Sequence, residues 1–235
     1  MQPMASARRL PVIELFGPTL QGEGRVIGLK TMFVRLAGCD YACAWCDTKY
    51  AWQPGQLAKS ELLAPAAVVA RLEETAGGCR RVTLSGGNPA LHDLGPLVAL
   101  LRDRAWRTHM ETQGSLAPGW LAELDSATFS PKPPSSGMAT DWQALADGLA
   151  LCRDPDLKVV VFDEADYAYA VEVHGRFPEV PLTLQLGNRV GEDTAASLLD
   201  RLNRLAETAL GDPRLADVRV LPQLHVLLWG NRRGV

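Results

Sequence analysis

Short apolar runs that alternate with amphipathic stretches constrain this chain more than any other feature. Residues that favour strands gather at 31–37, 82–85, 108–112, 126–130, 157–162, 182–186 and 218–221. Between them, 66–76, 94–104, 117–124, 141–152, 164–176 and 192–210 read as helices. Pro65 stands near the first position of one helix and Gly77-Gly78 follows its end, while Asp141 is a good cap for another. Buried strands joined through helices are parallel βαβ units. About seven strands fall short of an eightfold barrel, which usually takes ~250 residues. The expected fold class is therefore α/β: a partial, open TIM-like (β/α) barrel of about six to seven parallel strands, one domain over residues 1–235.

In such folds the functional loops gather at the C-terminal ends of the strands. The informative residues fall there: the loop after Ala37, Gly86-Gly87-Asn88-Pro89, Glu111-Thr112-Gln113-Gly114, Ser130-Pro131-Lys132 and Gln185-Leu186-Gly187-Asn188. Composition removes other classes. Lys plus Arg number 24 against 27 Asp plus Glu, a net charge of −3. That balance offers no basic stripe for nucleic acid. No apolar run approaches the ~18 residues of a membrane span. Arg8-Arg9 is followed by no apolar stretch of a secretory leader. The expectation is a cytoplasmic protein with neither nucleic acid nor membrane as partner.

The chain has five cysteines, and three of them, Cys39, Cys43 and Cys46, lie within eight residues. An odd number argues against a disulfide framework and for a reducing compartment. Cys79 and Cys152 read as small buried hydrophobes. Residues 39–60 lack periodicity, and long loops in compact domains are usually functional. Three thiolates can hold three irons of a cubane cluster and leave the fourth iron open. Structural zinc closes with four ligands, and electron-transfer clusters usually have four cysteines. His92, the nearest histidine in sequence, is a poor fourth ligand. The spacing thus favours a cluster that binds a small molecule at its open iron. Zinc with a remote fourth ligand and purely structural thiols remain the alternatives.

Cys39-x3-Cys43-x2-Cys46, with Trp45 before the last cysteine, resembles the motif of radical S-adenosylmethionine enzymes. Thr19-Leu20-Gln21-Gly22-Glu23-Gly24, Cys46-Asp47-Thr48, Ser85-Gly86-Gly87-Asn88-Pro89, Glu111-Thr112-Gln113-Gly114 and Ser130-Pro131-Lys132 extend the likeness. Together they resemble the 7-carboxy-7-deazaguanine synthase family within that superfamily, from about residue 12 onward. The resemblance implies a [4Fe-4S] cluster, S-adenosyl-L-methionine and Mg2+ as cofactors. It implies a 5′-deoxyadenosyl radical that takes hydrogen from 6-carboxy-5,6,7,8-tetrahydropterin. Ring contraction with loss of ammonia then gives 7-carboxy-7-deazaguanine, a precursor of 7-deazapurines such as queuosine. A homodimer and a flavodoxin-like electron donor are implied in the same way.

The resemblance also assigns residues. Cys39, Cys43 and Cys46 would carry the cluster, and Thr48 would bind Mg2+. Trp45, Cys46, Asp47, Gly87, Ser130, Pro131, Lys132 and Gln185, Leu186, Gly187 and Asn188 would flank S-adenosylmethionine. Leu20, Gln21, Gly22, Arg35, Ser85 and, more weakly, Val235 would meet the substrate. Segment 12–30 would bind substrate and loop 39–50 the cluster. Glycine at 86 and 87 lets backbone approach a ligand closely. Asn88 stands where the wider superfamily often has Glu, so it keeps an acceptor but lacks the charge. Glu111 faces the expected mouth, with a structural hydrogen bond as the competing reading. The four histidines show no metal spacing, and 218–229 reads as packing or a dimer contact rather than a site. Two rival functions are an activase that makes a glycyl radical on a partner protein and a non-catalytic, zinc-stabilised binding module. The Leu20–Gly24 segment and Thr48 favour the pterin enzyme.

Overall fold

Strands β1 (Leu10–Leu20) and β2 (Lys30–Leu36) pair antiparallel, and the short β3 (Glu61–Leu63) lies antiparallel on the far side of β1. Helix α1 (Pro65–Thr75) then leads to β4 (Arg81–Gly86), which runs parallel to β2. The chain continues through α2 (Gly95–Asp103), β5 (Arg107–Thr112), β6 (Ser126–Phe129), α3 (Trp142–Leu151) and β7 (Pro155–Val161). Helix α4 (Glu164–Arg176), β8 (Leu182–Leu186), α5 (Ala195–Leu210), β9 (Arg219–Leu221) and α6 (Leu224–Trp229) complete it. This computed structural model describes residues 8–55 and 57–235. The expectation about a leader bears in part on residues 1–7, outside the described residues.

Among the described residues, nine strands form one sheet in the order β3-β1-β2-β4-β5-β6-β7-β8-β9. From β2 to β9 every neighbour is parallel, giving the seven parallel strands the alternation predicts. The sheet ends at β3 and β9 without pairing them, so the barrel is open. The two antiparallel strands are additions to the predicted set. β1 lies in the segment read as a ligand-binding stretch, and β3 has three residues, too few to show a period. Residues 117–124 hold a 3-10 turn, Gly119–Glu123, rather than a helix. Pro118 and Gly119 side by side account for the short element.

The parallel strands alternate with period two between a helix-facing apolar side and a polar interior. Met32, Val34 and Leu36, Val82 and Leu84, and Leu157, Val159 and Val161 belong to the apolar core shared with the helices. Thr31, Thr83, His109, Thr128, Lys158, Thr183 and Gln185 are as deeply buried but polar. Each fully buried Leu or Val contributes roughly 1.5–3 kcal/mol, so the helix side carries the stability. Much of the interior is held by hydrogen bonds instead, although Thr183 Oγ1 and Asp156 Oδ2 are buried without a partner. Thr31 and Thr83 hydroxyls lie 3.1 Å apart, and His109 meets Ser126 at 2.9 Å and Thr128 at 3.2 Å. Residues 21–29 turn back into this polar interior. Gly24 N donates to Gln185 Oε1 at 3.3 Å, and Arg25 pairs with Asp154.

Candidate active site

A cavity of about 310 Å³ opens at the C-terminal ends of the parallel strands. It takes in the three thiols, the Gln21-Gly22-Glu23 turn, Arg35, Ser85 and residues 230–235. Its cysteine end is built by backbone. The Gly38 amide donates to Ala51 O at 2.9 Å and Ala44 N to Ser136 O at 3.0 Å, tying the loop to β2 and to the segment after β6. Asn88 and Gly87 pin it from the third side. Asn88 N donates to Gly38 O at 2.8 Å, and its buried amide donates to Asp40 Oδ1 at 2.9 Å and Ser115 Oγ at 3.1 Å. Its carbonyl accepts from Thr112 Oγ1 at 2.9 Å. Asn88 is thus a fully engaged strut beside Cys39, which gives the uncharged amide its use here. A Cβ on Gly87 would collide with the Gly38 carbonyl. The glycine requirement therefore comes first from protein backbone, although Gly87 also lines the cavity.

The donor set fits a cluster better than a single ion. Tetrahedral zinc at ~2.3 Å from each thiolate holds sulfurs within about 4 Å of one another. Among the described residues, Glu23, Asp47 and His225 bring one ligand atom each within 4.8 Å of one another, a donor set that contains no thiol. Cys39, Cys43 and Cys46 line the cavity while Cys79 and Cys152 do not, and three soft thiols without a fourth suit three corners of a cubane. Burial pushes the Cys39 and Cys43 thiols above their ordinary value, so a bound cation is needed to hold them as thiolates.

Around the thiols, Trp45 Nε1 donates to Ser135 Oγ at 2.9 Å and its ring lies 5.2 Å from that of Phe162. Lys132 Nζ sits 5.8 Å from the Trp45 ring and donates to Ser130 Oγ at 3.2 Å, and burial pushes its pKa down. Asn188 Nδ2 donates to Asn231 Oδ1 at 2.7 Å, while its own Oδ1 is buried with no partner. An orphaned acceptor on a cavity wall is a place for a ligand donor. Trp45, Asp47, Ser130, Lys132 and Asn188 all line the cavity; Pro131, Gln185, Leu186 and Gly187 do not. Gln185 is spent on Gly24 N and, at 3.1 Å, on Leu221 O, and Leu186 belongs to the core. Gly187 leaves room for the Phe162 ring. Of the stretch 185–188, Asn188 is the residue that lines the cavity.

The opposite end is a polar floor whose members bind each other. Gln21 Nε2 donates to Glu111 Oε1 at 3.1 Å and Ser85 Oγ to Glu111 Oε2 at 3.2 Å. Lys158 pairs with Glu23 and lies 3.7 Å from Glu111. Gln223 Nε2 donates to Glu23 Oε1 at 2.6 Å. Burial works to raise the Glu23 pKa, but Lys158 and His225 outweigh it and hold the carboxyl at about 2. Burial likewise works against the Lys158 ammonium, and Glu23 and Glu111 more than compensate. Arg35 donates to Glu14 Oε2 at 3.0 Å between the Phe16 and Tyr50 rings, so part of its guanidinium has a protein partner. Thr48 lines the cavity 3.6 Å from Cys46 Sγ. Leu20, Gly22 and Val235 line it too.

Lys158, His225 and Gln223 were not among the predicted site residues. A lone lysine inside the otherwise apolar run 157–162 was the available signal for the first. The other two come from 218–229, which packs in part but also turns His225 into the cavity.

The open barrel with a three-thiol loop after its first parallel strand defines a class, and the Radical SAM superfamily profile matches residues 34–131. A "7-carboxy-7-deazaguanine synthase" of Bacillus cereus is 46% identical over 97% of this chain and 99% of its own. One from Bacillus subtilis is 44% identical over 97% of this chain and 100% of its own. The crystal structure of QueE from Escherichia coli superposes with a TM-score of 0.66 at 26% identity, covering 92% of this chain and 95% of that one. The chain belongs to the 7-carboxy-7-deazaguanine synthase family, and it is a radical S-adenosylmethionine enzyme of that type.

Proposed function

We propose that this chain converts 6-carboxy-5,6,7,8-tetrahydropterin into 7-carboxy-7-deazaguanine and ammonia, in 7-deazapurine and queuosine synthesis. The observation that carries the reading is the placement of the polar floor and the three thiols in one cavity. Cys39, Cys43 and Cys46 would hold the [4Fe-4S] cluster, which when bound supplies the electron for reductive cleavage of S-adenosylmethionine.

The chain's own groups do the rest of the work by position. A pterin presents a row of N–H donors along one edge, and buried carboxylates are suited to accept them. Glu23 and Glu111 are carboxyl acceptors fixed from behind by Lys158, Gln21 and Ser85. The remaining donors of Arg35 suit the substrate carboxylate. Thr48 would hold Mg2+ through its hydroxyl, with the oxygens of Asp47 and Glu23 on the same wall; hard oxygen donors suit that ion. At the cysteine end, Trp45, Asp47, Gly87, Ser130, Lys132 and Asn188 would surround S-adenosylmethionine, with the free Asn188 acceptor taking one of its donors. Residues 230–235 close the mouth, where Arg233 pairs with Glu14 and stacks 3.9 Å from the Tyr50 ring. A cytoplasmic homodimer reduced by a flavodoxin-like protein completes the proposal.

Product formation tests it. Reconstituted protein given reductant, S-adenosylmethionine, Mg2+ and 6-carboxy-5,6,7,8-tetrahydropterin should release 7-carboxy-7-deazaguanine, detected by mass. S-adenosylmethionine cleavage with the pterin returned unchanged would favour an activase acting on a protein instead.

A further inference from the structure

Two of the three loop thiols are approached by a side-chain N–H, and Cys39 also accepts from the Tyr41 backbone N–H at 3.4 Å. The Trp52 indole Nε1 donates to Cys46 Sγ at 3.2 Å, and Gln113 Nε2 approaches Cys39 Sγ at 3.7 Å. The glutamine directs the same nitrogen first to Asp40 Oδ1 at 2.6 Å, so its sulfur contact is secondary. Trp52 has no such rival among its hydrogen bonds, and an indole nitrogen can only donate.

Backbone sets the contact. After Cys46 the chain coils through Lys49–Ala51, and Trp52 N donates to Lys49 O at 3.2 Å. Ala51 is buried and its carbonyl accepts from Gly38 N, so the end of the coil is fixed to the start of the loop. The indole, six residues past the last thiol, is thereby folded back onto that thiol's sulfur.

Hydrogen bonds to the sulfurs are among the factors that set the potential of an iron–sulfur cluster. A donor stabilises the thiolate most in the more negative, reduced state. Its presence raises the reduction potential.

We propose that Trp52 is a positioning residue for electron entry. Its indole N–H, acting through the Cys46 sulfur, raises the potential at which the cluster accepts an electron. The proposal rests on the reading that the three thiols hold a cluster. One electron enters from an external low-potential donor, and no bond at Trp52 forms or breaks.

The test uses the full chain reconstituted without air. Parent protein should first bind about four irons per chain; failure there would sink the cluster reading itself. Trp52→Phe should then bind the same iron with the same visible absorbance, yet reach half reduction at a more negative potential in EPR-monitored potentiometry. A fully loaded Trp52→Phe with the parent's potential would overturn the proposal. Should Trp52→Phe fail to assemble, 3-benzothienylalanine at position 52 keeps the shape of the indole and lacks only its N–H. The same negative shift in that protein supports the proposal. An unchanged potential, or failure of this isostere to load, overturns it.

Discussion

Gly22 and His225 occupy one space: a Cβ built on Gly22 would fall on the imidazole ring. The contact joins the turn after β1 to the start of α6, and Leu224 N seals it by donating to Gly22 O at 2.8 Å. Gly22→Ala must therefore move the His225 ring away from Glu23 and Asp47. We expect a fall in kcat/KM of tenfold or more, about 1.4 kcal/mol, with unchanged iron content. Parent-like kinetics would show that His225 has no part in the site.

Lys158 is buried and holds two half-buried carboxylates, and its removal leaves them without that counter-charge. Breaking a buried pair from one side typically costs 3–5 kcal/mol. Lys158→Met should lose roughly that much in urea unfolding, and Lys158→Met/Glu23→Gln should lose less. The pH dependence follows from the depressed Glu23 carboxyl, at about 2 against an ordinary 4.5. The parent's stabilisation is present above pH 4.5 and is lost as pH falls toward 2. In the double variant that acid slope should flatten.

Gly87 is packed against backbone, which cannot yield as a side chain can. Gly87→Ala should displace Gly38 and the cysteine loop after it. We expect impaired iron incorporation in a folded protein, read from iron content beside an unchanged far-ultraviolet spectrum. Full iron loading would contradict the close approach.

Much of this architecture was legible from alternation alone. Capping by Asp141 and the whole of α4 fall where local chemistry places them, because those helices have a cap residue and an apolar stripe of their own. The thiol loop and the glycine pair were legible because few residue types can do those jobs. Strand β3 was not, since its three residues depend on β1 for pairing. The floor was half visible. Gln21 and Ser85 follow from the family likeness, whereas Lys158 and His225 matter through partners 135 residues distant and across the barrel, respectively. Gln185, assigned to the cofactor by the family likeness, has its side chain engaged by Gly24 N and Leu221 O in this structure.

Asp156 is a cost the fold carries away from the chemistry. Burial pushes its pKa from 3.8 up to about 6, and its Oδ2 is buried without a partner. The folded state holds this proton more tightly than the unfolded state, so stability falls as pH rises from 3.8 through about 6. That displacement corresponds to about 3 kcal/mol at neutral pH. Asp156→Asn should lose ground least, so its stability relative to the parent should improve by that order between pH 4 and pH 8. A constant difference across that range would contradict the assignment.

The central claim is an iron corner that no side chain fills. Mössbauer spectroscopy of the air-protected, iron-57-loaded protein tests it directly. We expect one iron in four to change its signal when S-adenosylmethionine is added, with the other three, held by Cys39, Cys43 and Cys46, unmoved. Four equivalent irons that ignore S-adenosylmethionine, or a protein that takes up a single zinc instead, would contradict it.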